Sequence, residues 1–155
     1  MPQQRNFLLL ISAACFAMIG VALYLQHYHD RLPCGLCVVQ RYALLATGLL
    51  CMVAASAKKP RVWGVLALAT LLGGVGTVVK HLYVLAHPGL SCGIDPVETF
   101  LNKVPTSTYL PWIFRAEGLC EDARDKILGL SIPQWSAVGF GILTIALIMA
   151  LLRRR

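Results

Sequence analysis

The sequence predicts an all-α membrane protein, a bundle of four transmembrane helices with two periplasmic loops, the second of them long and partly lying on the membrane surface. Four apolar segments are each long enough to cross a bilayer core about 30 Å thick. In addition, 57% of the 155 residues are hydrophobic and only 14% are charged. The mean hydropathy of +0.69 agrees with this. Such a composition is typical of membrane proteins and not of soluble domains.

The four predicted spans cover residues 7–26, 38–57, 62–86 and 133–152 of a single membrane domain. The first span is uncharged and longer than the roughly 7–15 apolar residues of a cleaved signal, so we expect a retained anchor. Gln40 and Arg41 lie near the start of the second span, and Lys80 and His81 interrupt the third. Pro133 begins the fourth, where a missing backbone N–H costs little.

The charges outside the spans predict the orientation. Only positive charge precedes the first span, fills the link 58–61 and ends the chain at 153–155. All seven acidic residues lie in the other two segments, 27–37 and 87–132. Positive loops stay in the cytoplasm, so we expect both termini there and both loops in the periplasm of a bacterial inner membrane. The net charge of +7 does not indicate nucleic-acid binding, because no basic, aromatic-interleaved face is present.

The six cysteines divide by topology. Two of them, Cys15 and Cys51, lie inside apolar runs and should behave as small apolar residues. The other four lie on the oxidising side of the membrane, where disulfides persist. They are Cys34 and Cys37 in the first loop, and Cys92 and Cys120 in the second.

Cys34 and Cys37 form a Cys-Gly-Leu-Cys motif where the second span begins. This spacing suits a small redox-active disulfide or half of a zinc site. Cys37 lies in the first helical turn, where the positive end of the helix stabilises a thiolate. Arg41 follows four residues later on the same face. An arginine at this depth marks a functional site, so we predict that Arg41 stabilises the thiolate or hydrogen-bonds a quinone carbonyl.

The third span brings His81 to about the same level. His81 could donate a proton or a hydrogen bond to the quinone, or it could be a simple interfacial anchor. The second loop, residues 87–132, is too long for a plain connector. Its pair Cys92 and Cys120 could be a structural staple, but beside another cysteine pair a redox relay is the better interpretation. The aromatic cluster 109–114 either lies among the headgroups or forms a small core within the loop.

Taken together, these motifs resemble the DsbB family of bacterial disulfide bond formation proteins over essentially the whole chain. The resemblance rests on the four spans, on Cys34-Gly-Leu-Cys37 followed by Gln40-Arg41, and on the two cysteines of the second loop. The run 131–135, Ser-Ile-Pro-Gln-Trp, at the start of the fourth span also looks like this family.

The resemblance implies an enzyme that reoxidises a periplasmic DsbA-like thioredoxin-fold protein and passes two electrons to membrane ubiquinone or menaquinone. Cys92 would form the mixed disulfide with the partner. Cys120 would then exchange with Cys34, which leaves Cys37 as the thiolate facing the quinone. The expected catalytic residues are Cys34, Cys37, Cys92 and Cys120, and the expected quinone-binding residues are Arg41, His81 and Cys37.

Two other classes of function compete with this interpretation. His27, His29, Cys34 and Cys37 offer two imidazoles and two thiols, a set suited to zinc or copper. Such a site needs reduced cysteines in an oxidising compartment, so we expect no metal. A scaffold with inert disulfides would leave Arg41 without a purpose. Enzymes of the vitamin K epoxide reductase type also couple to quinone, but they carry the Cys-x-x-Cys motif late in the bundle.

Overall fold

A computed structural model of the chain describes residues 2–87, 96–120 and 126–152. Four long helices within these residues are apolar enough to cross a membrane, which confirms the predicted all-α membrane protein with four membrane-spanning helices. Three short helices and a two-stranded antiparallel hairpin lie between the third and fourth long helices. In chain order the elements are α1 (Pro2–Tyr28), α2 (Gly35–Ser56), α3 (Pro60–Ala86), α4 (Pro96–Lys103), α5 (Pro105–Tyr109), α6 (Pro111–Phe114), β1 (Lys126–Ile127), β2 (Leu130–Ser131) and α7 (Ile132–Leu152).

The four long helices share one apolar core. Helix α2 packs against α1 and α3, and α7 packs against α3 and α1. Cys15 and Cys51 lie fully buried in this core among leucines and alanines. Large apolar side chains also cover the outside, for example Val79, Ile142 and Ile145, each at least 60% exposed. An outer surface this apolar suits lipid and not water.

Gly74 marks the closest approach of three helices. A Cβ atom at this position would lie 2.9 Å from Cβ of Ala43 on α2 and would collide with the ring of Phe140 on α7. Its neighbours Gly73 and Gly76 face open space. Small residues allow membrane helices to pack closely, and of these three glycines only Gly74 is used in this way.

The short helices of the second loop pack on the N-terminal end of α2. A small apolar cluster joins them to it, made of Val38, Leu101, Phe114 and Ala116. The Tyr42 ring stacks on Phe114 with centroids 4.4 Å apart, and its hydroxyl hydrogen-bonds Thr106 Oγ1. The cluster 109–114 is therefore divided, because Phe114 is buried whereas Tyr109 and Trp112 are exposed.

The hairpin is tied to the first turn of α7. Its turn residues Leu128 and Gly129 have φ angles of 52° and 89°. The indole Nε1 of Trp135 donates to the carbonyl of Ile127 at 2.8 Å. The backbone N–H of Ser131 donates to Oε1 of Gln134, also at 2.8 Å. Two residues of the 131–135 run thus hold the end of the second loop against the fourth helix.

Candidate redox site

The first loop ends at Cys34, which caps α2. The Cys34 backbone is extended, with φ −79° and ψ 169°, and its carbonyl accepts the first intrahelical bond from the Val38 N–H at 3.1 Å. Cys37 therefore lies in the first turn, and its sulfur is 3.1 Å from the Cys34 sulfur. Cys34 is buried and Cys37 is partly exposed, so the deeper thiol of the pair is the first one in the sequence.

Cys120 from the second loop joins this pair. Cys34, Leu36 and Cys120 form one buried cluster with Cys37 packed against it. A hydrogen bond between the side chains of Cys34 and Cys120 raises the pKa of Cys34 and lowers that of Cys120. Cys34 thus packs against Cys37 of α2 and Cys120 of the second loop. The fourth predicted cysteine, Cys92, lies outside the described residues.

Backbone contacts bring the two loops together. The carbonyl of Pro33 accepts hydrogen bonds from the N–H groups of Glu117 and Gly118 at 3.0 and 3.1 Å. A Cβ atom on Gly118 would collide with the backbone carbonyl of Leu32. Only glycine permits this approach, which places Cys120, two residues later, beside Cys34.

His81 from α3 completes the cluster around the sulfurs and is only 1% exposed. Its Nε2 lies 3.4 Å from the carbonyl of Cys120 and 3.8 Å from the Cys34 sulfur. Its Nδ1 lies 4.0 Å from the Cys37 sulfur. A carbonyl can only accept, so Nε2 carries the proton there, and in the neutral ring Nδ1 faces Cys37 as an acceptor.

Arg41 lies one turn deeper than Cys37 and is 5% exposed. Its Nη1 donates to Oε1 of Gln26 on α1 at 2.8 Å and to the carbonyl of Ile113 in α6 at 2.6 Å. The guanidinium therefore joins α1, α2 and the second loop. Lys80, which precedes His81 on α3, is exposed.

A cavity of about 640 Å³ opens beside Cys37 and Arg41. Its volume is typical of sites for small organic molecules. Helix α2 lines it with a stripe spaced as one helical face, namely Cys37, Gln40, Arg41 and Leu44. The other walls come from α1, the first loop, the segment 117–119 and the start of α7. His81 is not part of this lining.

Comparison with known proteins shows the family. The family model for disulfide bond formation protein DsbB matches residues 4–150. The chain belongs to the DsbB family. Disulfide bond formation protein B from Herminiimonas arsenicoxydans is 43% identical over 100% of this chain and 99% of its own length. The protein of that name from Ralstonia nicotianae is 41% identical over 97% and 95%. Burkholderia lata has two such relatives, numbered 1 and 2, at 36% and 41% identity.

The structure of this DsbB-family chain groups different metal-ligating residues from those expected. His27 uses its Nδ1 to bond the carbonyl of Leu23 in its own helix, at 2.9 Å. Within the described residues, the group with metal-ligand spacing is Cys34, Cys37 and His81, whose donor atoms lie within 4.8 Å of one another. The alternative metal site, made of His27, His29, Cys34 and Cys37, does not match this group.

Two polar contacts of the DsbB-family site had no signal in the sequence. Gln26 binds Arg41 from the end of α1, where it looks like an ordinary boundary residue. Ser136 donates to Oε1 of Gln40 at 2.7 Å across 96 positions of the chain. The helical spacing from Cys37 to Gln40 could have identified Gln40 as a wall residue, but nothing in the sequence pairs it with Ser136.

Proposed function

We propose that this DsbB-family chain is a quinone-dependent thiol:disulfide oxidoreductase of the bacterial inner membrane, which reoxidises a periplasmic DsbA-like thioredoxin-fold protein. The observation that carries the proposal is the position of Cys34, whose sulfur lies 3.1 Å from that of Cys37 and which packs in one buried cluster with Cys120. A sulfur between two others can exchange a disulfide with either. Family membership supports the coarser statement, a disulfide-forming oxidoreductase in a membrane.

The relay starts at the second loop, where the family resemblance assigns a Cys92–Cys120 disulfide. A partner thiolate attacks Cys92, and the partner's second thiolate then resolves the mixed disulfide, which leaves two loop thiols. The Cys120 thiolate attacks Cys34 of a Cys34–Cys37 disulfide, and Cys37 leaves as a thiolate. Cys92 then attacks Cys120, which restores the loop disulfide and releases Cys34 as a thiol. Two electrons have moved from the partner to the first loop.

His81 acts as the general acid or base for Cys37. Because Nε2 is held by the carbonyl of Cys120, Nδ1 is the ring atom that meets the Cys37 sulfur. When Cys37 is a thiol in the reduced pair, Nδ1 can accept its proton, and the resulting imidazolium stabilises the thiolate. A histidine in hydrogen-bond reach of a reacting group is the usual general acid or base.

The cavity beside Cys37 fits a quinone head group in size and chemistry. Ubiquinone or menaquinone supplies a two-electron, two-proton acceptor. Leu25 and Leu44 give the cavity apolar walls, and Arg41 gives it a cation. Within the described residues, the hydrogen bonds of Arg41 use Nη1, so its other N–H groups can donate to a carbonyl oxygen. The positive side chain also stabilises the negative charge that develops as electrons arrive.

The test is quinone-dependent oxidation of a reduced DsbA-like protein by the purified chain. Quinone absorbance and partner thiols are followed together, with and without the chain. We expect catalysed quinone loss that matches partner oxidation one to one. No quinone consumption with a competent partner and soluble quinone would refute the proposal.

A metal-binding function is the second candidate, because Cys34, Cys37 and His81 have the spacing of zinc ligands. Metal analysis of protein purified under reducing conditions without chelator separates the two. Stoichiometric zinc with no quinone turnover would favour the metal site, whereas turnover by metal-free protein favours the relay.

A further inference from the structure

Gln40 is a buried residue in the wall of the cavity. Its amide oxygen accepts a hydrogen bond, but its amide nitrogen has no hydrogen-bond partner within the described residues. Its side chain is 6% exposed and lies between Cys37 and Arg41 on the α2 stripe. Ser136 of α7, which lines the same cavity, donates its hydroxyl proton to Oε1 of Gln40 at 2.7 Å. Within the described residues, Nε2 of Gln40 is buried and has no hydrogen-bond partner.

An amide N–H without a partner is costly at this depth, since neither lipid nor apolar side chains can accept its proton. Arg41 cannot satisfy Nε2 of Gln40, because a guanidinium has no acceptor atom. The Cys37 sulfur, on the preceding turn, is only a weak acceptor. An oxygen acceptor inside the cavity would remove the penalty.

We propose, building on the function above, that Gln40 is a second binding residue for the quinone and donates from Nε2 to a carbonyl oxygen of the head group. Ser136 is the positioning residue, because its hydroxyl occupies Oε1 and so turns the donor side of the amide towards the ligand. Arg41 and Gln40 then offer donors from adjacent positions of one helix.

This arrangement selects the oxidised ligand. The oxygens of a quinone only accept hydrogen bonds, whereas those of a quinol also carry protons to donate and accept more weakly. Because Oε1 is held on the side of Ser136, Gln40 presents to the ligand its N–H donor and not its acceptor oxygen. Gln40, held by Ser136, therefore favours the binding of quinone over quinol. The quinol product then leaves the cavity more readily than the quinone substrate.

The experiment measures the dissociation constants of a short-chain ubiquinone analogue and of its quinol, by anaerobic equilibrium dialysis. All proteins carry Cys34→Ser and Cys37→Ser, so that neither ligand reacts. Gln40→Met removes the donor at nearly constant length. We expect it to weaken quinone binding about tenfold, equivalent to about 1.4 kcal/mol, and quinol binding less than twofold.

Ser136 provides an independent arm if Gln40→Met does not fold. Ser136→Ala frees the amide to turn, so we expect the ratio of quinol to quinone dissociation constants to fall towards one. Ser136→Thr keeps a hydroxyl and should restore the ratio. Thr144→Val is the control: it removes a hydroxyl from the same helix that donates to the carbonyl of Phe140, and it should leave both dissociation constants unchanged.

The outcomes separate the two proposals. If neither the unmutated chain nor the Cys34→Ser/Cys37→Ser parent binds quinone, the quinone-dependent function itself fails. If the parent binds quinone but Gln40→Met changes the dissociation constants of quinone and quinol by the same factor, or changes neither, the role of Gln40 is refuted. The quinone-dependent function then still stands. An unchanged ratio in Ser136→Ala refutes the positioning role.

Discussion

Cys34 has the most informative surroundings of any single residue in the chain. The sulfur of Cys37 lies 3.1 Å away and Nε2 of His81 3.8 Å away. Its hydrogen bond to Cys120 raises its own pKa and lowers that of Cys120. The thiolate in the reduced protein therefore resides at Cys120 more readily than at Cys34, and the thiolate is the form that attacks a disulfide.

This difference predicts the pH dependence of alkylation. Since the pKa of Cys120 lies below its ordinary value and that of Cys34 above it, Cys120 should react with iodoacetamide at a lower pH than Cys34. Cys34→Ala removes the hydrogen-bond donor and should move the Cys120 midpoint upwards. Cys34→Ser retains a donor and should move it less. Peptide mass spectrometry of the reduced protein gives each midpoint, and coinciding profiles for the two cysteines would contradict the prediction.

Gly118 permits the two loops to touch, so a methyl group there should separate the sulfurs. In a Cys37→Ser/Cys92→Ser background, we expect Gly118→Ala to slow formation of the Cys34–Cys120 disulfide by oxidised glutathione by about tenfold or more, because an overpacked contact costs about 1–3 kcal/mol. Gly20→Ala is the matched control, since a Cβ there meets nothing within 4 Å. Equal rates in the two variants would show that the loops meet by another route.

Replacing Cys37 should affect quinone turnover differently from replacing either of the two core cysteines. We expect Cys37→Ala to reduce quinone turnover to the uncatalysed rate, because no thiolate then faces the cavity. Cys15→Ala and Cys51→Ala should retain turnover, since both thiols are buried in the bundle core. Stopped-flow loss of quinone absorbance measures all three. Full activity of the Cys37 variant would exclude the relay as proposed.

The site residues differ in how far the sequence could predict them. Cys37 and Arg41 follow from helical spacing, because four residues make one turn. Cys120 could be placed beside Cys34 only through family resemblance, since loop spacing carries no distance information. The need for glycine at position 118 could not be predicted, because the backbone it contacts is that of Leu32, far away in the sequence.

At the scale of elements, α2 connects all parts of the site. One face of α2 carries the cavity stripe, and the N-terminal end of α2 packs against the short helices of the second loop. Hydropathy predicted α2 as a span, but it gave no indication of α4, α5 and α6. Those helices have eight residues or fewer, and helices this short form through packing and not through their own propensity.

The contact between α3 and its neighbours can be tested at one glycine. Gly74→Ala should lower the free energy of unfolding in detergent by about 1–3 kcal/mol, since a Cβ there meets Ala43 and Phe140. Gly73→Ala, one residue away and facing open space, should change it by less than about 0.5 kcal/mol. Both values come from denaturant titration followed by circular dichroism, and equal losses would refute the predicted packing.

For the whole molecule, the separation of charge predicts that the cysteine loops face the periplasm. In a cysteine-free background, Tyr109→Cys should react with a membrane-impermeant maleimide in intact spheroplasts, because Tyr109 is 82% exposed. Lys59→Cys, in the basic link between α2 and α3, should react only after the membrane is opened. The reverse pattern would invert the topology and place the dithiol in the cytoplasm.

The shared carbonyl of Pro33 has a consequence for how such proteins can diverge. Two N–H groups of the second loop bond one oxygen of the first, so a change of shape in either loop must be matched in the other. Chimeras with a relative should therefore work when residues 29–34 and 96–120 are exchanged together and fail when only one is exchanged. The two loops must therefore change together during evolution, even though two membrane helices separate them along the chain.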